Sequence, residues 1–64
     1  MDWTCEVVAK LHYLKMEKRQ LAAEAGYSPV YLSMLLNGRR YSKAAEERLL
    51  SILNRKIEQQ HPVQ

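Results

Sequence analysis

The stretch SPVYLSMLLNG, residues 28–38, decides the fold. Ser28 offers a side-chain oxygen to the free N–H groups of a helix start. Pro29 suits the first helical position, where an N–H is not needed. Asn37-Gly38 closes the segment, because glycine takes the left-handed backbone that ends a helix. Between these signals Leu32, Leu35 and Leu36 form an inward apolar face. The outward positions are Pro29, Val30, Ser33 and Met34, a face without charge. Arg39 and Arg40 follow at once.

Just upstream, Leu21, Ala22 and Ala25 give the apolar face of a second short helix, from about Lys18 to Ala25. Gly26 is placed to close it. Its start is the weak point, with Glu17 in place of a better cap such as Ser or Asp. Two short helices joined by a tight, glycine-containing turn make a helix-turn-helix. Ala22 has to be small because the helices cross closely there. Leu21, Ala25, Leu32 and Leu35 have to lock the pair.

Another helix is predicted on each side. The first begins after Asp2, whose carboxylate caps it, and ends near Lys15. Trp3, Val7, Val8, Leu11 and Leu14 form its apolar stripe. Glu6 and Lys10 are spaced for a favourable pair on another face. Met16 is an apolar anchor in the following turn. The last helix starts behind the cap Ser42 and runs from about Lys43 to Gln59. Leu49, Leu50, Ile52, Leu53 and Ile57 supply its apolar side. Glu46 and Glu47 lie near its start and Arg55 and Lys56 near its end, matching the helix dipole. No strand pattern occurs. Residues 1–60 are therefore one domain and residues 61–64 a frayed tail.

Composition narrows the function. A chain of 64 residues with 47% hydrophobic content can build one small core, but scarcely a catalytic cleft with supporting residues around it. A binding module is the better reading, with no enzyme activity and no cofactor. The single cysteine, Cys5, allows no internal disulfide and reads as a small, half-buried residue. His12 and His61 have no metal-ligand spacing. No apolar run approaches a membrane span and no signal segment is visible, so a cytoplasmic setting is expected. Net charge is +3, and it is unevenly spread. From Lys10 to Lys43 there are seven basic residues against Glu17 and Glu24, with more acidic ends on either side. Such a block suits a phosphate backbone.

The segment KRQLAAEAGYSPVYLSMLLNG resembles the helix-turn-helix of phage Cro and lambda-type repressor domains, the Xre-like family. The matching residues are Leu21-Ala22, Gly26, Ser28, Tyr31-Leu32-Ser33, Leu35 and Asn37-Gly38, and the likeness extends over about Val7 to Ile57. The resemblance implies an all-α, lambda-repressor-like bundle. Four helices are expected here, with the family's usual five as the alternative. It also implies that the third helix enters the major groove of duplex DNA. Pro29, Val30, Ser33 and Met34 then face base edges. Ser28 and Tyr31 lie at the groove lip near phosphate, and Lys18 meets phosphate at the start of the second helix. Asn37, Arg39, Arg40 and Lys43 contact the DNA backbone.

Each role has a plainer rival. Tyr31 reads equally well as a packing residue with a wet hydroxyl. Arg39, Arg40 and Lys43 also suit solvated surface, while Lys10 and Lys15 read as ordinary surface charges. The leading expectation is a small transcriptional repressor or regulator of phage or mobile-element type. It takes no small-molecule substrate. Its apolar readers favour thymine methyl groups. Modest specificity from one copy calls for shape readout, or for a homodimer on palindromic half-sites about 34 Å apart. Leu50 and Ile52 are spare apolar positions for such a dimer. The alternative is a helix-turn-helix protein-interaction module, an antirepressor or adaptor, with its contact patch around Val30 and Met34.

Overall fold

A computed structural model describes residues 2–60 of the chain, so the expected tail at 61–64, with His61, lies outside the described residues. Four helices follow in order: α1 (Trp3–Leu14), α2 (Lys18–Ala25), α3 (Pro29–Leu36) and α4 (Lys43–Gln60). There is no strand among the described residues, and α4 is continuous, so the fold is a four-helix all-α bundle. α1 and α2 pack on α4, and α3 packs on α2. None of these helices is long and apolar enough to cross a membrane.

The core forms where these helices meet. Val7 and Leu11 enter from α1, Leu21, Ala22 and Ala25 from α2, Leu32 and Leu35 from α3, and Ala45, Leu49 and Leu53 from α4. Ala22 is fully buried, as a close crossing requires. Leu14, Met16, Leu36, Leu50 and Ile52 pack partly against this core. Leu50 and Ile52 thus contact the core of this chain and remain half-exposed. Val8 corrects the stripe expected for α1: it is 43% exposed. Only one narrow face of α1 meets α4, and Val8 lies about 100° around the helix from Val7. Cys5 is likewise exposed rather than half-buried.

The first three helices stop in one way. A residue with left-handed backbone follows each, and the next N–H reaches back to a carbonyl in the last turn, the Schellman arrangement. Met16 donates to Leu11, Tyr27 to Ala22 and Arg39 to Met34, each at 2.9 Å. Gly26 and Gly38 supply the left-handed positions at φ 81° and 78°. Lys15 occupies the third at φ 55°, a conformation disfavoured for a side-chain-bearing residue.

Helix starts vary more. Ser28 and Ser42 cap as expected, accepting the N–H of Tyr31 at 3.0 Å and of Ala45 at 3.2 Å. The Asp2 side chain does not cap α1; it accepts the Thr4 hydroxyl at 2.6 Å. The start of α2 is firmer than Glu17 alone suggests, because the Gln20 side chain accepts the Glu17 N–H at 2.8 Å. Arg55 and Lys56 fall short of the last turn of α4, which holds no basic residue.

Candidate nucleic-acid interface

α3 is presented at the surface by its two ends. Ser28 and Pro29 fix where it begins, and the Gly38 turn fixes where it stops. Leu32 and Leu35 seat it, while Pro29, Val30 and Ser33 stay exposed, Val30 by 64%. Met34 is half-buried and contributes less outward surface than its position in the sequence suggests. The Asn37 amide donates to the Ser33 hydroxyl oxygen at 3.3 Å. Ser33 is therefore an acceptor toward Asn37 and keeps its own proton to donate outward. Ser28 is in the same state: its oxygen accepts the Tyr31 N–H, and its proton is spare. Tyr31 is half-buried, its ring edge-on to Tyr27 at 5.1 Å. That geometry supports the packing reading.

Cations stand at both ends of α3. Lys18, at the first position of α2, lines one groove with Pro29, the first residue of α3. At the other end the backbone N–H groups of Arg39 and Arg40 both bond the Met34 carbonyl, at 2.9 and 3.2 Å. Lys43 opens α4 just beyond. Lys18, Arg39, Arg40 and Lys43 are all exposed, and their side chains make no hydrogen bond or ion pair.

Other basic residues are engaged. Lys10 bonds Glu6 at 2.8 Å and also reaches Asn54 on α4. It is half-buried and ties two helices together, which corrects its reading as an ordinary surface charge. Lys56 pairs with Glu24 at 2.9 Å, joining α4 to α2. Arg48 donates to the Ala25 carbonyl at 2.7 Å, satisfying the end of α2. Arg19 pairs with Glu17 at 3.1 Å. Lys15 and Arg55 are unpaired too, but they lie elsewhere. Lys15 borders a groove with Gln20 and Gln59, and Arg55 borders one between α2 and α4.

Tyr41 is a residue whose role the sequence does not signal. It is 64% exposed, yet its ring meets Trp3 edge-on at 6.2 Å and its hydroxyl donates to Glu46 at 2.7 Å. The Glu46 carboxylate raises the phenol pKa above its ordinary value, first through that hydrogen bond; desolvation and the charges of Glu46 and Glu47 act in the same direction. Among the described residues no cluster of His, Cys, Asp and Glu is arranged to hold a metal. No family model, curated protein or solved structure matches the chain.

Proposed function

We propose that this chain binds double-stranded DNA with α3 in the major groove, as a small transcription regulator of the Cro and lambda-repressor-like kind acting in the cytoplasm. One observation carries the reading: the exposed cations at the two ends of α3 are unpaired, while those between α1, α2 and α4 are mostly bonded. Lys18 and Lys43 also stand at helix N-termini, where a cation is electrostatically unfavourable. A phosphate relieves both conflicts, since it attracts the lysine and the helix start together. Arg39 and Arg40 hold a further phosphate stretch in forked hydrogen bonds.

Base reading falls to Pro29, Val30 and Ser33, with Met34 at the margin. Val30 suits a thymine methyl group. Ser33, set as a donor by Asn37, prefers an acceptor such as purine N7 or thymine O4 over the cytosine amino group. Four phosphate-gripping cations against so few readers mean strong, salt-sensitive general affinity and modest specificity. A second copy on a palindromic site supplies the rest. The exposed Val30 would also suit a protein partner, but the unpaired cations around it favour a polyanion.

The test is binding to random-sequence duplex DNA at low and high salt, followed by selection from a random pool. Salt-dependent binding and a thymine-containing, palindromic consensus are expected. Absence of binding to any duplex at low salt overturns the DNA reading and leaves the protein-interaction module.

A further inference from the structure

We infer that Tyr41 is a positioning residue for Arg39 and Arg40: clasped between Trp3 of α1 and Glu46 of α4, it fixes the loop from which both guanidinium groups are presented. The inference rests on the DNA reading and adds a residue that contacts no DNA itself.

The loop between α3 and α4 holds Arg39, Arg40, Tyr41 and Ser42. Arg39 and Arg40 are tied to α3 by their N–H groups on the Met34 carbonyl, and the last loop residue is tied to α4 by the Ser42 cap. Tyr41 supplies the remaining tie. Its ring reaches Trp3, 38 positions earlier in the chain, and its hydroxyl reaches Glu46. An edge-on aromatic pair and a hydrogen bond to a carboxylate are both directional. Together they fix the side chain in two planes. A ring this exposed buries too little area to act as core. Its contacts are better explained by what they hold still.

What they hold still is useful to a neighbour with no tie of its own. The Arg39 and Arg40 side chains make no bond within the chain. They are long and rich in rotamers, so binding a phosphate orders them at an entropic cost. If the backbone beneath them also had to be ordered, affinity would fall further. A backbone fixed beforehand removes that second penalty. The pinned loop thus contributes affinity without adding a phosphate contact.

That distinction gives the test, because the salt slope counts phosphate contacts while affinity also reflects order. Three proteins are compared on one random duplex over a range of salt: wild type, Tyr41→Ala and Tyr41→Phe. Tyr41→Ala is expected to weaken binding by about tenfold at every salt concentration, with the slope unchanged. Tyr41→Phe keeps the ring on Trp3, loses only the hydroxyl, and is expected to fall between. Without DNA, amide hydrogen exchange at Arg39 and Arg40 is expected to quicken in Tyr41→Ala while the core amides hold. Wild-type affinity in Tyr41→Ala, or unchanged exchange at the two arginines, overturns the inference. So does a slope lowered by about one, which would make Tyr41 a phosphate contact itself. Failure of the wild type to bind any duplex is a separate result, and that one overturns the DNA reading.

Discussion

Where α1 and α2 lie against α4, three basic side chains, Lys10, Arg48 and Lys56, are tied down while Lys15 and Arg55 stay unpaired; around α3 all four, Lys18, Arg39, Arg40 and Lys43, are unpaired. Lys10 ties α1 to α4, Lys56 ties α4 to α2, and Arg48 of α4 closes the end of α2 through the Ala25 carbonyl. None of these inter-helix side-chain bonds involves α3, and the side-chain bonds of Ser28 and Ser33 stay within its own segment. That helix is seated in the core by the apolar side chains of Leu32 and Leu35. The same residue types therefore serve two ends. On one side charge fixes helices relative to each other. On the other it is left available, and shape-filling leucines do the fixing. A helix attached this way keeps its outer face clear of internal partners.

The largest way to break this contrast is to remove the seat of α3. Leu32→Ala deletes buried methyl groups and leaves a cavity, so a loss of roughly 2–5 kcal/mol is expected. In a domain this small that is most of the stability. Urea unfolding followed by Trp3 fluorescence measures it. A loss below about 1 kcal/mol would mean that α3 is attached by something other than its leucines. Next in size is the double change Arg39→Ala with Arg40→Ala. Each phosphate contact adds about 0.9 to the salt slope, so the slope should fall by about 2 and binding weaken on every sequence alike. Stability should hold within about 0.5 kcal/mol, since neither side chain has a partner to lose. Binding that weakens on one sequence only would place the arginines among the base readers.

Much of the fold was legible because its signals are local. Ser28, Pro29, Gly26 and Gly38 act on backbone within a few residues, and each sits where its chemistry places it. The unpaired cations were legible as types and positions. That they are unpaired was not, because pairing depends on which helix comes alongside. Lys10 shows this well: its i,i+4 partner Glu6 can be read from spacing, but Asn54, 44 residues away, cannot. Tyr41 and Trp3 are the same kind of case. Val8 failed for another reason. A stripe counted along α1 includes every apolar residue within reach of one side, whereas the packed face is narrower. The end of α1 near Lys15 was legible, but the left-handed backbone there was not, because nothing in a lysine announces it.

Lys15 sharpens the contrast as an unpaired cation away from α3. Lys15→Gly keeps the left-handed backbone but removes the Cβ that makes it unfavourable, and should raise stability by about 1 kcal/mol. For a domain of this size that is a rise in Tm of roughly 4–8 °C. The salt slope of DNA binding should stay as it is, because this lysine borders the α1–α2–α4 groove rather than α3. A slope lowered by about one would extend the DNA-facing surface to the end of α1.

The smallest expected effect tests the other half of the contrast. Lys56 and Glu24 form a half-exposed pair between α4 and α2, and pairs of that kind contribute up to about 1 kcal/mol. A double-mutant cycle with Lys56→Ala and Glu24→Ala should give a coupling of about 0.5 kcal/mol in unfolding, weakening as salt is added. The single change Lys56→Ala should leave the DNA salt slope unaltered, although it removes as much charge from the chain as Arg39→Ala does. Net charge alone would make the two equivalent. If both lowered the slope by the same amount, affinity would follow total charge, and the placement of unpaired cations around α3 would carry no information about where DNA lies.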